Sequence, residues 1–130
     1  MAVGTSQFLN NAWLNTIKST GTSFNVAGSI YVQLHTANPG TVGTTSVSST
    51  TTRQTITFTT ATTGVLNSSS SPSWTNWAGT NGEVVSHVSF WDATSAGNFL
   101  WSAALTASKT INTGDTFTLS SASLTITNAS

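Results

Sequence analysis

The clearest indication of the fold is the segment Val84-Val85-Ser86-His87-Val88-Ser89-Phe90-Trp91. Its apolar side chains recur with a period of two, which is typical of a β-strand whose two faces meet different surroundings. The pattern predicts that one face of the strand carries Val84, Val88 and Phe90. The opposite face is predicted to carry Val85, His87 and Trp91.

The same period continues on both sides of this stretch, and turn residues separate the segments. Upstream, residues 30–35 and 54–59 alternate, and Asn38-Pro39-Gly40 ends the first of them. Downstream, residues 117–119 and 124–126 alternate as well, and one face of the segment 99–105 is predicted to carry Phe99, Trp101, Ala103 and Leu105. The apolar members of these faces give the predicted core: Trp13, Val32, Leu34, Phe58, Phe90, Trp101, Phe117, Leu119 and Ile126.

Residues 6–18 have the spacing of a helix. Their apolar stripe consists of Phe8, Leu9, Ala12, Trp13 and Ile17. Thr5 or Ser6 can cap the start of this helix, and Gly21 can close it. We therefore expect an all-β fold, an antiparallel β-sandwich or small barrel of about six to eight strands, with one short N-terminal α-helix. Residues 1–130 are predicted to form a single domain, with the helix at 6–18 and the β-domain at 29–128.

The composition excludes several classes of partner. The 130 residues have zero net charge and 5% charged residues, whereas 27 are Thr and 21 are Ser. Three basic residues are too few for nucleic-acid binding or for an anionic membrane surface. No apolar run approaches the roughly 20 residues that span a bilayer, and we expect no secretory signal. A folded domain with so little charge is poorly protected against association, so we expect it to work within an assembly.

Ionisable side chains are also too few to suggest catalysis. The acids are Glu83, Asp92 and Asp115, and the histidines are His35 and His87. A glycosidase needs two carboxylates that face one sugar, and Glu83 and Asp92 stand nine positions apart in one β segment. His35 and His87 could meet across strands, but two histidines alone are a poor metal site. We predict no enzyme activity and no catalytic, cofactor-binding or metal-binding residues.

Two less regular stretches leave alternatives open. Residues 40–52 are interpreted as a polar loop or a mobile edge, and residues 67–77 as a loop that ends by docking tryptophans. Trp74 and Trp77 could form a platform for a sugar ring. They could equally cover one end of the sandwich or lie in a subunit contact, and the sequence favours this second interpretation.

The order of several motifs resembles a family of small bacteriophage virion proteins, described as tail-fibre or tail-associated structural proteins. The resemblance begins with the helix and continues through IYVQLHTANPG at residues 30–40 and TRQTITF at residues 52–58. It then covers EVVSHVSFWDA at 83–93, GNFLW at 97–101, SKTI at 108–111, the pair Gly114-Asp115, and LTIT at 124–127. The region 60–80 is richer in serine and tryptophan than this family pattern.

The resemblance implies a non-enzymatic virion component without cofactors, made and assembled in the host cytoplasm. It would form a homotrimer and dock on other virion proteins, in a tail fibre or as a capsid-decorating protein. The alternative is a carbohydrate-binding module that recognises a host surface glycan. In this family, Arg53, His87, Asp92, Lys109 and Asp115 are expected to form buried or turn-fixing hydrogen bonds.

Overall fold

The alternating segments of the sequence form antiparallel strands in a computed structural model, which describes residues 3–18, 20, 23–26, 28–127 and 129. One helix, α1 (Gln7–Ile17), precedes the strands. In this part of the chain the strands are β1 (Ile30–His35), β2 (Gln54–Ile56), β3 (Val65–Asn67), β4 (Ser73–Trp74), β5 (Glu83–Trp91), β6 (Phe99–Ile111), β7 (Phe117–Thr118) and β8 (Ser123–Thr125).

These eight strands form one larger sheet and two small ones. The larger sheet has the order β2-β1-β5-β6, and β3 pairs with β8 and β4 with β7. Every pairing is antiparallel. The predicted β-rich fold with an N-terminal helix is confirmed. The sheets stay open, so the barrel that the sequence also allowed is not formed.

Helix α1 begins where the sequence predicts. Ser6 is its N-cap, and the Ser6 side chain accepts a hydrogen bond from the Leu9 backbone amide at 3.1 Å. The segment before the helix pairs with the edge of β6, since the Ser6 amide donates to the Leu100 carbonyl. Leu9 is buried in the core, and the partly buried Trp13 packs against the core cluster. Gly21, the predicted closing residue, lies outside the described residues. No helix of the described ranges is long and apolar enough to cross a membrane.

A β-bulge changes which valine of β5 is buried. Val85 pairs with Lys109 and His87 pairs with Ala104, so Ser86 alone faces four residues of β6, at positions 105–108. This irregularity breaks the alternation of the strand. Val85 is fully buried in the core, whereas Val84 is 44% exposed. Val85, and not Val84, joins Val88 and Phe90 in the core cluster, so the predicted division of these residues between the two faces is wrong.

A second bulge separates Phe99 from Trp101. Phe90 pairs with Trp101 and Trp91 pairs with Phe99, which leaves Leu100 as an extra residue in β6. Trp101 stacks on Phe90 with ring centroids 4.2 Å apart, whereas Phe99 packs against Trp91 at 5.5 Å. Phe99 and Trp101 thus have different aromatic partners, and the prediction of one shared face is wrong because of the extra residue.

Most of the predicted core is confirmed. The buried cluster contains Val32, Leu34, Phe90, Trp101, Phe117 and Leu119, and the partly buried Trp13 and Phe58 pack against it. Ile126 is an exception, because 55% of its surface is exposed beyond the end of β8. Its predicted core position is wrong.

Candidate functional site

The larger sheet has a second covered side, opposite its apolar core. The register pairs Gln33 with Ser89 and His35 with His87, which confirms that the two histidines meet across strands. We call Gln33, His35, Ser89 and Trp91 the covered face, because all four side chains are buried. We call residues 36–52 the cover loop. The loop is attached to β1 by a bridge between His35 and Val47.

His35 joins the cover loop to the covered face. One ring nitrogen, Nδ1, lies 2.8 Å from the Thr45 carbonyl oxygen, and the other, Nε2, lies 2.7 Å from Ser89 Oγ. Trp91 donates its indole N–H to the same Ser89 oxygen at 2.7 Å. Since a carbonyl can only accept, Nδ1 carries the proton. The Ser89 hydroxyl then donates to Nε2, and His35 is held as the neutral Nδ1–H tautomer.

Burial lowers the pKa of His35 from its ordinary value. Desolvation is the main cause, because the charged imidazolium loses water around a fully buried ring. Positive charge on His87 and Arg53 acts in the same direction, and hydrogen bonds to the backbone of Thr45 and Ser46 oppose it. The neutral ring therefore predominates at neutral pH.

Arg53 contacts the end of the covered face formed by Gln33 and Trp91. Its Nε donates to Gln33 Oε1 at 3.0 Å, and its Nη1 donates to the carbonyls of Ala93 and Ala96, both at 2.8 Å. Its guanidinium also lies over the ring of Trp91. Partial burial lowers the pKa of Arg53, and the Asp92 carboxylate opposes that shift. The Arg53 side chain thereby ties β1 to the turn that follows β5.

The three carboxylates accept hydrogen bonds from nearby groups of the chain. Glu83 accepts from Ser48 Oγ at 2.6 Å and from the Ser49 backbone amide at 2.9 Å. Asp92 accepts from the backbone and side-chain amides of Asn98, both at 2.7 Å. Asp115 accepts from the Asn112 amide at 2.9 Å. Each carboxylate thus stabilises a different turn or loop.

The expected hydrogen-bonding roles are confirmed for most of the residues concerned. Arg53, Asp92 and Asp115 fix turns as expected. His87 Nδ1 lies 2.8 Å from Oγ of the adjacent Ser86 within β5, so this contact fixes no turn. Lys109 departs from the expectation, because its side chain is exposed and has no hydrogen bond to a described residue. Among the described residues, no group of three or more His, Cys, Asp or Glu side chains could hold a metal ion.

Trp74 and Trp77 are both buried, so the loop 67–77 does end by docking tryptophans. The Trp74 indole donates to the Thr52 carbonyl at 2.8 Å, and the Trp77 indole donates to the Thr80 carbonyl at 3.2 Å. Trp74 also packs against Phe117 at 5.7 Å between ring centroids. The alternative in which these indoles form an exposed sugar platform is wrong for this conformation, because their faces are covered by the protein.

Sequence reasoning missed the partners that complete the covered face. Gln33 stands between Val32 and Leu34, and Ser89 between Val88 and Phe90. A polar residue between two apolar neighbours of a strand is the signal that could have identified them. Gly43 is the other missed position. It has φ +75°, and a Cβ atom placed there would lie 2.6 Å from Phe99 Cδ2 and 2.9 Å from Trp91 Cζ2. The cover loop can approach these rings so closely because residue 43 has no side chain.

The exposed end of α1 is the other notable surface. Leu14 is 63% exposed and Ile17 is 80% exposed. They stand three residues apart and so share one side of the helix. We call Leu14 and Ile17 the helix patch. Of the predicted apolar stripe, Leu9 is buried and Ala12 and Trp13 are half-buried, whereas Phe8 and Ile17 are exposed.

The fold and these sites define a β-rich structural domain, in which the hydrogen-bonded ionisable groups hold turns and loops in place. A family model described as podophage GP4 fiber I protein gp80 matches residues 4–127. The chain belongs to this family of phage tail-fibre structural proteins. Membership implies a structural role in the fibre of a virion, in association with other virion proteins. A comparison with curated proteins finds no match.

Proposed function

We propose that this chain is a fibre subunit that acts by self-association, as a homotrimer, and by docking on other virion proteins. Its membership of the fibre family supports a structural role without catalysis. A surface with 5% charged residues and zero net charge also favours stable association over a free monomer. Symmetric homo-oligomers repeat one such contact around an axis.

The helix patch is the observation that carries this proposal. Two aliphatic side chains with most of their surface in water gain about 1.5–3 kcal/mol each when they become fully buried. The N-terminal turn of the same helix already packs into the core through Leu9. The helix is thus held by its own subunit and presents Leu14 and Ile17 outward, to a second copy or to the supporting virion protein.

The proposal includes the organisation of the chain. Residues 1–130 act as one domain, with no catalytic, cofactor-binding or metal-binding residues. The subunit lies in a fibre and not on the capsid surface as a decoration protein. The family description supports the fibre location. Labelled antibody on purified particles tests it, because labelling of fibres is expected and labelling spread over the capsid would contradict it.

Light scattering coupled to gel filtration tests self-association. The full chain is compared with a variant in which Leu14→Ser and Ile17→Ser remove the apolar patch. We expect the mass of a trimer for the parent chain and a lower mass for the variant. Ile126→Ser is the control, since Ile126 is a similarly exposed aliphatic residue that follows β8. A monomeric parent chain at high concentration, or equal masses for parent and variant, would contradict self-association through the helix patch.

A further inference from the structure

Hydrogen bonds beside His35 hold the cover loop to the end of β1, in addition to the bonds from Ser48 and Ser49 to Glu83. The Ser48 amide donates to the Leu34 carbonyl of β1 at 3.0 Å, and within the loop the Thr36 amide donates to the Ser46 carbonyl at 2.9 Å. Between them, His35 Nδ1 donates to the Thr45 carbonyl. Residues 36–52 contain no ionisable side chain. The imidazole of His35 is therefore the titratable group at the centre of this attachment.

A second proton on His35 would conflict with the geometry around it. Nε2 accepts from the Ser89 hydroxyl, whose oxygen also accepts from the Trp91 indole. If Nε2 became a donor, the Ser89 hydroxyl hydrogen would have to turn to another acceptor. Ser89 is fully buried, and its hydroxyl has no other described partner. A buried donor without an acceptor is costly, so the closed loop disfavours the protonated ring.

The charges around His35 act in the same direction. From β5, His87 faces it as the cross-strand partner, and Arg53, which follows the cover loop, is the nearby permanent cation. The Glu83 carboxylate is bonded to Ser48 and Ser49, and Asp92 is bonded to Asn98. Neither carboxylate is hydrogen-bonded to His35. An imidazolium would thus be buried beside positive groups without a bonded counter-ion.

We propose that the cover loop is an acid-sensitive latch, which His35 holds closed when neutral and releases when protonated. Release uncovers Trp91 and Phe99, against which Gly43 packs in the closed form. The pairing of β5 with β6 does not involve His35 and stays intact. This conformational device is independent of the proposed self-association through the helix patch.

The direction of the pH dependence follows from the difference in the His35 pKa between the closed and the open loop. The His35 pKa is lower in the closed state than in an open state that exposes the ring to water. Opening therefore takes up a proton as the pH falls below about 6.5, the ordinary value for histidine. The population of the open state is expected to rise by up to about tenfold for each pH unit, because one proton is bound.

Hydrogen exchange of the full chain tests the latch between about pH 7.5 and pH 5, a range that stays above the ordinary titration of carboxylic acids. After correction for intrinsic exchange, we expect the Thr36 and Ser48 amides to lose protection at the lower pH. The amides shared by β5 and β6 should keep theirs. His35→Gln should abolish this pH dependence, and His87→Gln, a change of the cross-strand partner, should preserve it.

Nitrogen NMR of the imidazoles gives a second test that needs no variant. We expect His35 to be the Nδ1–H tautomer at neutral pH, and its protonation to coincide with the loss of protection at Thr36 and Ser48. Constant protection of these amides over the pH range would overturn the latch. Simultaneous loss of protection in β5 and β6 would also overturn it, because it would indicate global acid unfolding. The same pH response in His35→Gln would rule out His35 as the trigger.

Discussion

The guanidinium carbon of Arg53 lies 4.0 Å from the centre of the Trp91 ring. This contact joins an arginine that follows the cover loop to a tryptophan that ends β5. The same guanidinium binds the carbonyls of Ala93 and Ala96 in the turn after β5. Ala96 has φ +50°, a left-handed conformation that is unfavourable for alanine. One side chain thus stabilises the covered face and the strained turn beside it.

Arg53→Ala is expected to destabilise the protein by about 2 kcal/mol, because it removes charge-assisted hydrogen bonds and a partly buried cation–π contact. Urea denaturation measures this loss. Lys109→Ala is the control. The exposed Lys109 side chain has no hydrogen bond to a described residue, so its removal should change the free energy of unfolding by less than about 0.5 kcal/mol. Equal stability of the two variants would show that Arg53 is not a structural tie.

Gly43→Ala is expected to cost about 2–4 kcal/mol, since the new methyl group both overlaps the rings of Trp91 and Phe99 and occupies a left-handed backbone conformation. Gly114→Ala separates these two causes. Gly114 has φ +88°, but apart from its two chain neighbours no described residue lies within 4 Å of the added Cβ. Gly114→Ala should therefore lower the free energy of unfolding only by the cost of the left-handed backbone conformation, about 1 kcal/mol. Similar midpoints of thermal unfolding for both variants would mean that the cover loop does not pack closely on the rings.

Leu9→Ala is expected to destabilise the chain by about 2–5 kcal/mol, because it leaves a cavity where the helix meets the core. Ile17→Ala on the same helix should leave unfolding within about 0.5 kcal/mol of the parent, since the Ile17 side chain is mostly in water. Denaturant unfolding at a concentration that keeps the chain monomeric measures both. If Ile17→Ala proved the more damaging change, the helix would face its own domain differently from the structure described above.

The oligomer is expected to keep its mass when salt is raised from about 0.1 M to about 1 M, a change that shortens the screening length from about 10 Å to about 3 Å. With three basic and three acidic residues in the chain, few ion pairs can contribute to a subunit contact. Sedimentation velocity at both salt concentrations measures the mass. Dissociation at high salt would indicate a contact held by charges such as Lys18 and not by apolar side chains.

Local patterns were sufficient to predict much of this fold. The alternation at 30–35 and 84–91 predicted β1 and β5, and Ser6 was among the two predicted caps of α1. These features depend on residues within a few positions of one another, so the sequence carries them directly. The order of the motifs also predicted the family, which the match over residues 4–127 confirms.

The packing of the whole chain determines which side chains each strand contacts. Val84 and Val85 are adjacent residues of the same type. Because of the bulge opposite Ser86, Val85 is buried and Val84 is exposed. The contact between His35 and Ser89 joins residues 54 positions apart. Register and bulges depend on the partner strand, and a side chain's hydrogen bonds depend on which segments pack over it. A period of two determines that side chains alternate, but only the packed chain determines which of them are buried.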